Sequence, residues 1–575
     1  MKICNNEAKM KKLGFLLISI IYFARLIFLE SDPVYSWLCQ QYVLDEIAYH
    51  EIALKIGNNG WKALVDGTIA NISLANAKTL FIPNLLVALC IRILGNNFWG
   101  LRIVYVLMGY AILCLLYQAM KMISDKSWIH FSVLLIYVFD FHFFLQTRSA
   151  MTVVCCTFAV SLLVYAMMKT SGKRKWFILG FLPITYFDLV YMGLPFVAIW
   201  AVFYFAVYML WKKEERKNGW MFGIGVITSI VFCEIISVVC LKQHFYKTII
   251  DTLCAHSAKL PVSDIRMLLG QITQSALSYP TAFQYSYNFL LLFLSFTSVS
   301  VLVYLLIKKQ DELAFLLLSV LGVHYAQTIF LNQLTESKAT ITFYPLLLSI
   351  AYAFERYKEV TTQQEKTRKL FRYMFCLFVP LSYWLVRKSY QYGRAVSDDL
   401  RHLEYIIMLL CVIPLLISVL KESKKWFTVP FVGNLIMGII FCVYYGFSSP
   451  SYDMSRMMTD IGEKTQNGVV LNGLCFSLYN ECTYPVNIYD HYKGKGYDFS
   501  YVTDEMKKAV YEQDELYCVF TSNQIGEWCI SYLNDNLFAD TPYMFVEVAT
   551  YTSSYTDDPG WQDMYNMGLY KKVER

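Results

Sequence analysis

The chain has 575 residues, of which 57% are hydrophobic, 17% aromatic and only 16% charged. This composition is typical of an integral membrane protein and excludes a soluble globular one. The net charge of +6 requires no nucleic-acid partner, because lysine and arginine in cytoplasmic loops account for it.

Apolar stretches of about 20 residues, enough to cross roughly 30 Å of hydrocarbon, recur from residue 13 to residue 445. The first, at 13–29, follows a lysine cluster and lacks a small-residue cleavage site, which predicts an anchor rather than a removed signal peptide. The stretch at 82–94 is short and contains Arg92, which favours an interfacial helix. About thirteen spans are therefore predicted. They lie at 13–29, 101–120, 128–145, 151–168, 176–190, 192–211, 220–241, 289–307, 313–331, 341–354, 370–385, 406–420 and 426–445.

Loop charge predicts the topology. Lysine and arginine concentrate in alternate short loops, such as 169–175 and 212–217, and such loops are cytoplasmic. With the N-terminus cytoplasmic, three larger pieces face the exterior of the plasma membrane: residues 30–100, 242–288 and 447–575. The chemistry is expected on that side.

The last 129 residues lose the long apolar runs and show short β-type stretches at 468–471, 516–521 and 543–550. We therefore predict an all-α polytopic membrane domain at 1–446, with a large first exterior loop, and a small exterior α/β domain at 447–575. Four cysteines of this domain could pair in an oxidising exterior, although their spacing specifies no connectivity. They are Cys475, Cys482, Cys518 and Cys529.

Motif searches narrow the chemistry. The sequence contains no CxxC pair, no HExxH, no GxxxxGK[ST] and no GxSxG in a strand–turn–helix context, so zinc protease, ATPase and hydrolase functions lack support. An exterior site has no access to cytoplasmic ATP or sugar nucleotides. An activated lipid would therefore be the natural donor.

The most informative motif is the acidic stretch at 45–52, Asp-Glu-Ile-Ala-Tyr-His-Glu-Ile, shortly after the first span. Adjacent ionisable groups just outside a membrane span are more typical of chemistry than of packing. A short helix with Pro83, a turn at 94–102 and a Gln146-Thr147-Arg148 junction between two spans follow along the chain.

This arrangement resembles the GT-C glycosyltransferases, in particular the aminoarabinose lipid A transferases and protein mannosyltransferase-like enzymes, which use polyprenyl-phosphate sugars. The resemblance is clearest from residue 13 to about residue 165 and returns at 338–345. Two positions depart from the family pattern: Ala48 stands where an arginine is expected, and Thr152 where aminoarabinose transferases often have an aspartate. The sugar and the acceptor therefore stay undefined.

The resemblance implies an inverting transfer of a sugar from a polyprenyl-phosphate donor to a cell-envelope acceptor, at the surface of the lipid bilayer. Asp45 would be the catalytic base, and Glu46 would orient the acceptor or a metal; the need for a divalent cation stays open. Lys78, Arg148 and Lys338 would bind the donor phosphate, because developing negative charge needs preorganised cations. Further substrate contacts are expected from Tyr49, His244, Lys247, His256, Lys259 and Arg266.

Simpler explanations exist for several of these residues: His244 and His256, for example, would also suit solvated loop positions. The acidic pair Asp45 and Glu46 would also suit a helix N-terminus. Lys78 would also suit an interfacial lysine, and Arg148 a headgroup anchor. Two other functions stay open: a transporter or flippase of lipid-linked saccharides, which predicts charges within spans and internal symmetry, and a non-catalytic membrane assembly protein, which would tolerate loss of Asp45.

Overall fold

A computed structural model shows a bundle of helices followed by a small four-stranded sheet. The structure describes residues 2–31, 46, 50–67, 69, 80–191, 195–246, 288–330, 340–362, 365–391, 398–447, 452–465, 468–471, 512, 514–520, 530–531, 534–535, 538, 541–552 and 567–575. The helices are α1 (Lys2–Phe23), α2 (Glu51–Asn59), α3 (Phe81–Leu94), α4 (Phe98–Ile123), α5 (Ser127–Phe139), α6 (Phe141–Thr147), α7 (Thr152–Lys169), α8 (Gly172–Leu189), α9 (Pro195–Trp211), α10 (Trp220–Leu241), α11 (Phe289–Lys309), α12 (Glu312–Phe330), α13 (Phe343–Thr362), α14 (Glu365–Gln391), α15 (Asp398–Lys421), α16 (Lys424–Phe447) and α17 (Asp453–Lys464).

The helical domain has the features of a multi-pass membrane protein, as predicted. Within the described residues, seven helices are long and apolar enough to cross a membrane: α4, α7, α10, α11, α14, α15 and α16. The pair α5 and α6 forms an eighth if it is a single span bent by 61°. Helices α3, α9 and α12 contain shorter apolar segments of 10–17 residues. The total of about thirteen spans and the interfacial position of α3 stay predictions.

Asparagine and aspartate side chains cap the N-termini of helices α4, α6 and α11, the last through Asn288, which accepts a hydrogen bond from the Leu291 amide at 2.9 Å. Asp140 accepts a hydrogen bond from the Phe143 amide (2.9 Å) and starts α6 at the bend. Asn97 accepts from the Gly100 amide (2.9 Å) and starts α4, one residue after a tight turn that contains Gly95 at φ +93°. The turn predicted at 94–102 thus positions the first turns of α4.

The C-terminal sheet has the strand order β1-β2-β4-β3. Its strands are β1 (Val469–Leu471), β2 (Leu516–Phe520), β3 (Tyr543–Tyr551) and β4 (Met567–Glu574). Strand β2 is parallel to β1 and antiparallel to β4, which also pairs antiparallel with β3. A C-terminal region with strands is therefore confirmed as predicted, whereas the domain bounds at 447–575 and the exterior position stay predictions. Strand β4 is one that the sequence patterns did not reveal. Cys518 is buried in β2, whereas Cys475, Cys482 and Cys529 lie outside the described residues, so their pairing stays a prediction.

Candidate active site

Glu46 is held in a fully buried position by three hydrogen-bond donors. Arg102, in the second turn of α4, donates from Nε (3.1 and 3.2 Å) and from Nη2 (2.8 Å) to the Glu46 carboxylate. The Ala150 amide, between α6 and α7, donates to Glu46 Oε1 at 2.9 Å. Both carboxylate oxygens are therefore engaged, and Glu46 joins the acidic segment to two elements of the bundle.

Arg102 also fixes the end of the first predicted span. Its Nη1 donates to the carbonyls of Leu29 (2.8 Å) and Ser31 (2.6 Å), and its guanidinium lies 4.1 Å from the Phe98 ring centre. These hydrogen bonds and the ion pair with Glu46 replace the hydration that the buried guanidinium loses. Arg102 thus connects Leu29 and Ser31, which precede Asp45 in the chain, to Glu46, which follows it directly.

His50 makes a second attachment of the acidic segment. Its Nδ1–H donates to the Glu46 carbonyl (2.5 Å), so its Nε2 accepts from the Tyr105 hydroxyl (2.5 Å). Burial lowers the pKa of His50 to about 4, and the hydrogen bond to the Glu46 carbonyl opposes this shift only in part. The imidazole is therefore neutral at pH 7, and the pairing fixes its tautomer.

Arg148 is buried and bound to backbone carbonyls. Its Nη1 donates to Gly446 (2.7 Å) at the end of α16, and its Nη2 donates to Ile27 (2.7 Å) and Phe28 (3.2 Å). Burial, with smaller effects of the nearby Arg102 and Arg25 charges, lowers the pKa of Arg148 to about 10, so it stays cationic at neutral pH.

Arg25 completes a positively charged cluster with Arg102 and Arg148, here named the arginine cluster. Arg25 Nε donates to Thr147 Oγ1 (2.9 Å), and its Nη2 donates to the Val138 carbonyl (2.8 Å). The cluster lies at the junction of α6 and α7 and at the end of the first predicted span. Glu46 offsets the Arg102 charge, and the remaining excess of guanidinium groups over carboxylates among these residues favours a phosphate ligand.

Gln146 connects the same junction to a later loop that is predicted to be exterior. Its Oε1 accepts a hydrogen bond from Thr340 Oγ1 at 2.8 Å, and the Thr340 carbonyl accepts from Thr157 Oγ1 at 3.3 Å. Thr340 is two residues after Lys338 in the sequence. The junction therefore contacts both the residue beside Asp45 and a residue close to Lys338.

The segment that carries Lys78 meets the bundle at a different point. Leu80, two residues after Lys78, donates its amide to the Val190 carbonyl at 3.0 Å, next to the end of α8. Leu80 adopts a left-handed conformation (φ +61°), which turns the chain directly into α3. This places the beginning of α3 against the end of α8.

His244 is exposed and pairs with Glu234. Its Nδ1 lies 2.7 Å from Glu234 Oε1, and the next amide, of Phe245, donates to Glu234 Oε2 at 2.7 Å. These contacts hold the residues that follow α10 against its last turns. The remaining predicted site residues lie outside the described residues and stay predictions: Asp45, Tyr49, Lys78, Lys247, His256, Lys259, Arg266 and Lys338.

Sequence reasoning missed the partners of Glu46. His50 follows Glu46 by four residues, a spacing that joins side chain to backbone within a helical turn, so a local signal existed. Arg25, a charged residue inside the first predicted span, was an available signal for the arginine cluster. In the described part of the chain, no group of three or more His, Cys, Asp or Glu side chains could hold a metal ion.

Comparison with known proteins supports the architecture. No family model and no curated protein matches the chain. The chain is similar to the crystal structure of ArnT from Cupriavidus metallidurans in the apo state, with 9% identity, 98% of each chain covered and a TM-score of 0.50. The structure of ArnT from the same organism bound to undecaprenyl phosphate matches with 10% identity, 97% of each chain covered and a TM-score of 0.49. The first match shows the GT-C fold that the sequence predicted.

Proposed function

We propose that the chain is a membrane glycosyltransferase that transfers a sugar from a polyprenyl-phosphate donor to an exterior cell-envelope acceptor, with inversion. The observation that carries the proposal is the anchored acidic segment. Glu46, next to Asp45, is bound by Arg102 and by the Ala150 amide where helices α4, α6 and α7 meet, in a chain with the fold of ArnT. A segment that is bonded through Glu46 to two parts of the bundle is suited to hold a catalytic group in place.

In this proposal Asp45 is the general base. It takes the proton of an acceptor hydroxyl while the hydroxyl oxygen forms a bond to the anomeric carbon. The bond from that carbon to the phosphate oxygen breaks on the opposite face, and polyprenyl phosphate leaves with the electron pair. Transfer in one displacement inverts the anomeric configuration.

Glu46 has a positioning role in the proposed site. Since Arg102 and the Ala150 amide occupy both carboxylate oxygens, Glu46 is better suited to fix the neighbouring Asp45 than to bind an acceptor or a metal. His50 supports the same segment through the Glu46 carbonyl. The base would thus be held by residues that do not themselves react.

The arginine cluster supplies the charge that the leaving phosphate needs. Arg148 already donates to three carbonyls, which favours a role through its field over direct phosphate binding. Lys338 is the first proposed direct ligand, because it lies two residues before Thr340, which is bonded to Gln146 at the junction. Lys78 is the second, and Leu80, two residues after it, is bonded to the bundle at the end of α8. The proposed site opens to the exterior, with the N-terminus in the cytoplasm.

The test is sugar transfer by purified protein in nanodiscs, with a panel of radiolabelled polyprenyl-phosphate sugars and envelope acceptors. Asp45→Asn should lower transfer by at least about 100-fold, the usual contribution of a general base. Asp66→Asn is the matched control, since Asp66 is an exposed aspartate of the same first exterior loop.

Equal activity of Asp45→Asn and the unchanged protein would reject Asp45 as the base. Absence of both transfer and donor hydrolysis with every sugar would reject the enzyme proposal. Movement of the labelled lipid across the bilayer of proteoliposomes, without transfer, would then identify a flippase.

A further inference from the structure

Gln146 carries a buried polar atom without a partner. Its side chain is 1% exposed, and its Nε2 has no hydrogen-bond partner within the described residues. Thr340 Oγ1 satisfies only the other end of the amide, at 2.8 Å. If the amide is turned over, the hydroxyl bonds the nitrogen and the oxygen is left instead. In either orientation one strong hydrogen-bonding atom is buried unused, which is costly unless a ligand binds it.

The position of Gln146 relates it to both halves of the proposed reaction. Four residues along the chain, the Ala150 amide binds Glu46, which is adjacent to Asp45. On the other side, Thr340 binds Gln146 and follows Lys338 by two residues. Described contacts therefore connect the junction that contains Gln146 both to the segment that carries the proposed base and to the segment that carries a proposed phosphate ligand.

The geometry of an inverting displacement predicts where the transferred sugar binds relative to the base and the phosphate ligands. The acceptor hydroxyl and the leaving phosphate lie on opposite faces of the anomeric carbon, so the transferred sugar ring lies between the base and the phosphate ligands. A hydroxyl both donates and accepts hydrogen bonds, so it can pair with either end of an amide.

We propose that the unused amide atom of Gln146 binds one hydroxyl of the transferred sugar and makes Gln146 a specificity-determining residue. This inference rests on the proposed function. A site that hydrogen-bonds a substrate hydroxyl rejects the analogue that lacks it, because the buried protein atom is then left unpaired. Gln146 would thus select sugars that carry a hydroxyl at one ring position.

The experiment compares kcat/KM for the active donor and for its monodeoxy analogues, each lacking one sugar hydroxyl. The unchanged protein should lose about 10- to 100-fold with one of these analogues. Gln146→Leu should lose a similar factor with the complete donor and show almost no further loss with that analogue. Thr340→Val, which removes the partner hydroxyl but keeps the amide, is the matched control and should retain the discrimination.

The outcomes separate the inference from the proposed function. If the unchanged protein transfers no sugar, both fail. If it transfers sugar but no deoxy analogue is penalised, or if Gln146→Leu keeps the full penalty, only the inference fails. If Gln146→Leu does not fold, Gln146→Asn decides in the same way, because it keeps an amide but withdraws it by one methylene.

Discussion

Replacing Arg102 with methionine tests whether the buried ion pair holds the acidic segment. The Arg102 and Glu46 side chains are 3% and 0% exposed, and Arg102 supplies all the side-chain donors that Glu46 has among the described residues. Methionine fills a similar volume but leaves the Glu46 carboxylate with the Ala150 amide. Breaking a buried pair by removing one partner costs about 3–5 kcal/mol.

The Ala150 amide reports this loss at a distance from the substitution. A cost of about 3 kcal/mol corresponds to roughly 150-fold in an opening equilibrium. Hydrogen–deuterium exchange of the peptide containing Ala150, measured in nanodiscs, should therefore accelerate by about 100-fold or more in Arg102→Met. Arg92→Met, at an exposed arginine of α3, is the matched control and should exchange like the unchanged protein.

The double variant Glu46→Gln with Arg102→Met separates charge from shape. It replaces the unpaired carboxylate with a neutral amide, whose oxygen can still accept from the Ala150 amide. Exchange at Ala150 should then be slower than in Arg102→Met alone. Exchange in Arg102→Met within threefold of the unchanged protein, or faster exchange in the double variant, would refute the anchoring argument.

Three further predictions concern His50, Gly446 and Lys338. Burial lowers the pKa of His50 from 6.5 to about 4, so the unfolded chain binds more protons than the folded chain between these pH values. The free energy of unfolding should therefore fall by about 3 kcal/mol from pH 7 to pH 4. His50→Gln should remove this part of the pH dependence of thermal unfolding. A Cβ at Gly446 would lie 2.6 Å from Arg148 Nη1, so Gly446→Ala should lower the midpoint of thermal unfolding by the equivalent of about 1–3 kcal/mol. Gly223→Ala, where a Cβ meets nothing within 4 Å, should not lower it. Lys338→Ala should raise the KM for the donor at least tenfold without removing transfer, whereas an unchanged KM would exclude Lys338 from phosphate binding.

The apolar runs of the sequence predicted the architecture, but they did not predict contacts between residues that are distant in the sequence. Apolar runs of span length and the loss of those runs after residue 446 are local signals, so the fold class could be predicted. Strand β4 escaped because its mixture of charged and apolar residues, Met567–Glu574, is a weak strand signal. Arg102 is 56 residues from Glu46, and no sequence period joins them. The acidic segment could therefore be found, but the residues that hold it could not.

The contact between Arg148 and Gly446 has a consequence for the biosynthesis of the protein. The two residues are 298 positions apart, so the ribosome completes the acceptor long after the guanidinium has been made. At about 5–20 residues per second the interval is roughly 15–60 s. During this time the newly inserted N-terminal helices lack one of the carbonyls that bind Arg148. The end of the bundle that contains Arg148 thus reaches its final form only after helix α16 has been synthesised and packed, and a chain that stalls earlier lacks the Gly446 carbonyl as an acceptor for Arg148.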